Sequence, residues 1–204
     1  MPALAITGGI ATGKSTFTRA LLRRVPAELF DADQCSHALL AGDAAIQAQV
    51  RAAFGPEVFA IDGTPDRAKL RARVFTDESA RRQLENILHP AIRARWSALA
   101  QAAKTGENWL CADIPLLYET GIEAHFDRVI VVACSSSTQR RRLREARGLS
   151  EELAGQMLAA QFDLRLKMSR ADHIIWNDST PANLEGQAAL LSHWLRNFYG
   201  QRNH

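Results

Sequence analysis

Ala3-Leu-Ala-Ile-Thr-Gly8-Gly-Ile-Ala-Thr-Gly13-Lys14-Ser15-Thr16 is the stretch around which the chain organises. The apolar run Ala3 to Ile6 has the length and composition of a buried strand. Phe17 and Leu21, one helical turn apart, mark a helix from Lys14 to Arg24. The turn between them reads Gly-x-x-x-x-Gly-Lys-Ser from Gly8 to Ser15. Gly8 and Gly13 permit the backbone angles and close approach that let successive N–H groups face one anion. The helix that follows adds its positive dipole end at the same point. Lys14 is a mobile point charge for outer phosphates, and the Ser15 hydroxyl is a ligand for Mg²⁺. A glycine-rich turn before an ordinary helix would match the same pattern. The strand before and the helix after favour the phosphate-binding reading for Gly8, Gly9, Ile10, Ala11, Thr12, Gly13, Lys14, Ser15 and Thr16.

A chain of 204 residues, 47% of them hydrophobic, makes one sizeable domain or a core with one or two insertions. The net charge of +3 is too small to argue for nucleic acid as a partner. The basic excess is local, in the run Arg140-Arg-Arg-Leu-Arg144. Cys35, Cys111 and Cys134 lack metal-like spacing, and an odd number partly set in apolar runs points to reduced, buried thiols. No N-terminal targeting pattern and no apolar stretch of spanning length is present, which predicts a cytoplasmic protein without a membrane partner.

Further along, Ala27 to Asp33 reads as a second short strand, with Asp31 and Asp33 on one side of it. Ligands of open parallel sheets lie beyond the carboxyl ends of the strands, so Asp33 is a candidate for orienting an acceptor. The other reading makes one of the two aspartates a helix cap, since the segment from Ser36 is helical. From about residue 43 to 104 the pattern is helical and polar, broken at Gly55-Pro56 and Asp62-Gly-Thr-Pro65. His89-Pro90 is expected to end one helix and begin the next, whose apolar face is Ile92, Trp96, Leu99 and Ala103. An insertion of this kind suits substrate binding; His89 is either a helix-start or core histidine or a ligand contact.

The strand from Asn108 ends in Asp113, which either helps hold Mg²⁺ or caps the turn before Pro115. Leu116 to Glu119 follow and should lie over a substrate cleft. Arg128 to Cys134 is apolar enough for a strand buried on both faces, and Ser135 to Thr138 then caps a helix. Arg140, Arg144 and Arg147 share one face of that helix, an unfavourable stacking unless an anion meets it. Either they neutralise a transferring phosphoryl group from a lid at about 138–170, or they pair with Glu145, Glu151 or Glu152. A last strand, His173 to Asn177, precedes a helix with the stripe Leu184, Ala188, Leu191, Leu195 and Phe198. Gly200 to His204 is expected to fray.

These pieces, in this order and over nearly the whole chain, resemble the dephospho-coenzyme A kinase family. The resemblance is carried by Thr7-Gly-Gly-Ile with Gly13-Lys-Ser-Thr16, Asp31-Ala-Asp33 with His37, and Leu88-His-Pro-Ala-Ile92. It is carried further by Asp62-Gly63 with Arg67 and Leu70, Pro115-Leu-Leu-Tyr-Glu119, and Gln161 with Lys167, Ala171-Asp172 and Asn177. It implies an α/β fold: a P-loop NTPase-type three-layer sandwich with a parallel sheet, a helical substrate-binding insertion and a helical lid. It implies transfer of the ATP γ-phosphate to the ribose 3′-hydroxyl of dephospho-coenzyme A, the last step of coenzyme A synthesis. Gly8 to Thr16 would hold ATP, with Ser15 on Mg²⁺, and Asp33 would orient or deprotonate the acceptor hydroxyl. Lys14 and a lid arginine would stabilise the transferring group, and Arg140 matches a lid position that would contact phosphate or adenine. His89 and Leu116 would join Asp33 on the acceptor side. Two departures stand out: Ala11-Thr12 where glycine and serine are common, and Ala146-Arg147-Gly148 where the family has arginine-aspartate-glycine. Another small-molecule kinase on the same core, or a nucleotide switch or ATPase, are the competing readings. The oligomeric state is left open.

Overall fold

The structure is a computed structural model that describes residues 1–106, 108–159 and 161–200, leaving the Arg147 side chain outside that description. The Arg147 expectation and the frayed tail beyond Gly200 therefore lie outside the described residues. Two compact units are present: residues 1–30 together with 99–204, and residues 31–98.

The first unit is built on a five-stranded sheet. Its strands are β1 (Ala3–Gly8), β2 (Ala27–Asp31), β3 (Trp109–Asp113), β4 (Arg128–Ala133) and β5 (His173–Trp176), in the order β2-β3-β1-β4-β5. β1 pairs in parallel with β3 and β4, and β4 pairs in parallel with β5. Every residue of β1 is buried, as expected of a central parallel strand covered on both faces. One face carries α1 (Lys14–Leu22) and α9 (Pro181–Gly200). Phe17, Ala20 and Leu21 of α1 and Leu184, Ala188, Leu191 and Leu195 of α9 close over Leu4, Ile6, Cys111, Ile130 and Val132. Spacings of four, three and four put the α9 residues on one stripe, and each buried leucine contributes about 2 kcal/mol of transfer free energy. The chain leaves β1 toward β2 on one side, whereas β3 continues to β4 on the other. A crevice for ligand therefore opens at the carboxyl ends of β1 and β3.

Between β4 and β5 come α6 (Ser136–Arg147), α7 (Glu151–Ala159) and α8 (Leu164–Ser169). Ser135 accepts from the Thr138 N–H to cap α6, and Gly148 ends it in the left-handed region at φ 63°. Among the described residues no helix is long and apolar enough to cross a membrane. Cys111 and Cys134 are free and buried, and burial pushes their thiols up to about 12 and about 11.

The second unit holds α2 (Ala32–Gly42), α3 (Ala44–Phe54), α4 (Arg67–Thr76) and most of α5 (Glu78–Thr105). It begins earlier than the expected residue 43 because α2 packs on α3. Aspartates start its helices: Asp31 accepts from Gln34 N, Asp43 from Ala45 and Ile46 N, and Asp66 from Ala68 and Lys69 N. Each such cap is worth about 1 kcal/mol. Arg67 bonds the His37 ring, and the Arg51 guanidinium lies 3.9 Å above the Phe59 ring.

Two local expectations are corrected here. The strand ends at Asp31, so Asp33 is not on the strand face but in the first turn of α2. The Asp31 side chain caps that helix and thereby starts it before Ser36. Pro90 does not begin a helix either; α5 runs through it without interruption. The apolar positions Ala80, Leu84, Leu88, Ile92, Trp96 and Ala100 keep a spacing of four across the proline, so packing holds one helix. Pro90 and Asn86, whose carbonyl would otherwise accept from residue 90, are both exposed, and water can take the orphaned carbonyl.

Candidate active site

The turn after β1 enters the left-handed backbone region twice. Ala11 adopts φ 58°, the only described residue other than glycine with positive φ, and Gly13 follows at φ 91° as the cap of α1. Left-handed residues set among right-handed ones make the concave array of N–H groups that binds anions. The glycines are also sterically required. A Cβ on Gly8 would overlap the Val132 carbonyl oxygen, and one on Gly13 would overlap the Asn177 amide.

Behind the turn, its carbonyls are taken by donors. Thr12, wholly buried, gives its hydroxyl to Gly9 O at 2.8 Å. Gln139 Nε2 donates to Ile10 O at 2.7 Å, and Asn177 Nδ2 to Thr12 O at 2.8 Å. Arg142 Nη1 lies 3.2 Å from both Ala11 O and Thr12 O, while its Nη2 donates to Asn177 O at 2.8 Å. The Ile10 N–H donates to Gln161 Oε1 at 2.7 Å.

Lys14 is ion-paired with Asp113, a buried residue at the end of β3. The pair stands at the crevice between β1 and β3, where the strand order reverses. Ser15 and Thr16 follow in the first turn of α1 with exposed side chains. Hydroxyl and carboxylate oxygens beside phosphate are the donor set of a hard cation such as Mg²⁺, which draws most of its ligands from phosphate and water. Among the described residues no three His, Cys, Asp or Glu side chains cluster as a metal cage.

The segment after β3 is held from below. Lys167 of α8 is fully buried, with Nζ 2.7 Å from Glu119 Oε1 and 3.1 Å from Pro115 O; Thr7 Oγ1 also donates to Pro115 O at 3.2 Å. Leu116, between these anchors, is 38% exposed. Tyr118 is buried, its hydroxyl has no hydrogen-bond partner among the described residues, and burial pushes that phenol up to about 12.

On the basic helix, Arg140 Nη1 pairs with Glu151 Oε1 at 2.8 Å and Arg144 with the other oxygen of Glu151 at 3.6 Å. The anion that meets the arginine face is thus Glu151 of the next helix. A pocket of about 660 Å³ opens beside Gly9, walled by Gln139, Arg140, Gln161, Leu164 and Trp176. In the second unit, Asp33 is exposed two residues past the end of β2, and His89 is half-buried in mid-α5.

The structure brings Gly8 to Thr16 together with Lys14 and Arg140 in one unit, and it places Asp33 and His89 in the other. Sequence reasoning missed Gln139 and Arg142 as partners of the loop. Their only local signal was the spacing of three on α6, off the face shared by Arg140 and Arg144.

Known proteins match this arrangement over nearly all of the chain. The family profile described as dephospho-CoA kinase matches residues 3–183. A dephospho-CoA kinase of Anaeromyxobacter dehalogenans is 43% identical over 203 residues, 99% of this chain and 96% of that protein. One of Geobacillus kaustophilus is 39% identical over 94% of this chain and 96% of its own length. Among solved structures, the dephospho-CoA kinase from Campylobacter jejuni superposes with a TM-score of 0.73 at 27% identity, covering 97% of this chain and 98% of that one.

Proposed function

Because this chain belongs to the dephospho-CoA kinase family and phosphorylates dephospho-CoA with ATP in the last step of coenzyme A synthesis, we propose how its residues divide that work. Gly8 to Thr16 hold the triphosphate of ATP, with loop N–H groups and the start of α1 facing the phosphates. Lys14 leaves Asp113 for the β- and γ-phosphates when nucleotide enters. The observation that carries this reading is the loop itself: left-handed residues at 11 and 13, with carbonyls fastened behind and a lysine at the mouth.

Phosphoryl transfer passes through a loose transition state, so positioning and charge neutralisation supply most of the catalysis. Ser15, and Asp113 through water, would hold Mg²⁺, which supplies neutralising charge across the phosphate oxygens. Asp33, an exposed carboxylate in the Asp31-Ala-Asp33 motif, orients the ribose 3′-hydroxyl and takes its proton, with His89 and Leu116 on the acceptor side. Residues of about 138–170 act as a lid. Its Arg140–Glu151 pair is solvent-exposed and contributes only about 0–1 kcal/mol, so a phosphate can displace Glu151 at little cost. Closure of the lid keeps water from competing with the acceptor. The helical unit is the substrate-binding insertion. We place the enzyme in the cytoplasm, where its three free thiols stay reduced.

The test is a set of parallel incubations of purified protein with Mg-ATP and dephospho-CoA, AMP, shikimate or no acceptor. Release of ADP with coenzyme A as product is expected only with dephospho-CoA. Asp33→Asn should lose turnover and keep ATP affinity; near-normal turnover in that variant would refute the orienting role.

A further inference from the structure

A loop that cradles phosphate must turn its N–H groups inward and its carbonyls away, because an inward carbonyl presents its negative end to the anion. In this chain the outward arrangement is not self-sustaining. Ala11 sits in the left-handed region, which costs a residue with a Cβ about 1–2 kcal/mol. A peptide so strained relaxes unless something fastens it. The fastening comes from 131 residues away: Arg142 Nη1 spans Ala11 O and Thr12 O, the two carbonyls that follow the strained α-carbon. The other arm of the fork bonds Asn177 O, and Asn177 returns its amide to Thr12 O in a fully buried bond. Gln139, three residues earlier on the same helix, takes Ile10 O.

We propose that Arg142 is a positioning residue for phosphoryl transfer, holding the phosphate loop in its anion-accepting form through the carbonyls of Ala11 and Thr12. Its forked geometry matters more than its charge, because it must reach three carbonyls of two segments at once. Asn177 is the second member of the clamp. The proposal rests on the reading of Gly8 to Ser15 as the phosphate cradle.

The experiment measures binding of inorganic tripolyphosphate and of ATP to the full chain by calorimetry, alongside steady-state kinetics. Wild-type protein that bound neither would refute the phosphate-cradle reading itself, before any variant is compared. Arg142→Lys keeps the charge and loses the fork; Arg142→Ala loses both. Each should weaken tripolyphosphate and ATP by the same factor, about 10-fold or more, since two to three carbonyl bonds are lost. KM for dephospho-CoA should stay within about twofold, because the loop does not serve the acceptor. Added guanidinium should restore part of the ATP affinity of Arg142→Ala. Asn177→Ala, which leaves the Arg142 fork intact, should show a smaller loss of both ligands. In the double variant the losses should be less than additive, as both residues act on Thr12 O. Wild-type tripolyphosphate affinity in Arg142→Lys would overturn the proposal in favour of simple charge. A loss confined to ATP would overturn it in favour of contact with the base. Should Arg142→Ala fail to fold, Arg142→Lys and Asn177→Ala decide between these outcomes.

Discussion

Removing Glu119 should destabilise this protein far more than removing its partner, Lys167. Lys167 is wholly buried, and its ammonium has Glu119 Oε1 at 2.7 Å and Pro115 O at 3.1 Å. Glu119, by contrast, keeps 22% of its side chain in contact with solvent. Among the described residues, Glu119→Ala therefore leaves the interior cation with the neutral Pro115 carbonyl as its partner. Breaking a buried pair in that way costs about 3–5 kcal/mol. For a chain of this size that lowers the melting temperature by about 6–20 °C. Glu119→Gln retains an oxygen that can accept from Nζ and should cost about 2 kcal/mol. Lys167→Met replaces the charge with an apolar side chain of similar length and leaves a carboxylate that water can reach. Its cost should be about 0–2 kcal/mol, since apolar replacement of buried ions is often close to neutral. Thermal melts followed by circular dichroism, on all three variants in one buffer, read the ordering directly. Lys167→Met as damaging as Glu119→Ala would refute the reasoning, because the asymmetry of burial would then play no part.

Other perturbations follow from single features. Ala11→Gly relieves the left-handed alanine and should raise the melting temperature by about 1–4 °C, with a decrease counting against strain at that residue. Pro90→Ala restores a backbone donor inside α5 and should stabilise by about 1–3 kcal/mol in urea unfolding; destabilisation would show that the helix needs the bend a proline sets. His173 is held below its usual pKa by burial, and the opposing pull of Asp172 is only partial; Arg128 adds to the lowering. Below about pH 6.5 the unfolded chain takes up a proton that the folded chain refuses, so stability is present above that pH and is lost as the pH falls. Between about pH 7.5 and 5.5, wild type should lose more melting temperature than His173→Gln, and parallel curves would exclude the histidine.

The elements legible in the sequence are those specified by residues close together in the chain. Gly8, Gly13 and Lys14 identify the phosphate loop because five- and six-residue spacing imposes the backbone the ligand needs. Leu184 to Leu195 announce α9 through period alone, and Ser135 announces the start of α6 through the chemistry of one hydroxyl. Local signals misled where two of them competed. Pro90 signals a helix start, yet the stripe from Ala80 to Ala100 is the stronger cue and carries α5 through. Asp31 and Asp33 alternate like strand residues, yet Asp31 spends its side chain capping α2, and that ends the strand.

What no local pattern could announce is how distant segments meet. Strand order puts β3 beside β1 although residues 27–31 come between them in the chain, and only that order sets Asp113 against Lys14. The arginine face is satisfied by Glu151, a partner chosen by how α6 and α7 pack. The carbonyls of a loop at residues 9–12 are held by Gln139, Arg142 and Asn177, whose positions depend on the register of β4 and β5 against β1. Turn chemistry and helical period are properties of a few adjacent residues, so they can be read one segment at a time. A hydrogen bond across 131 residues exists only once the sheet has brought its two ends together.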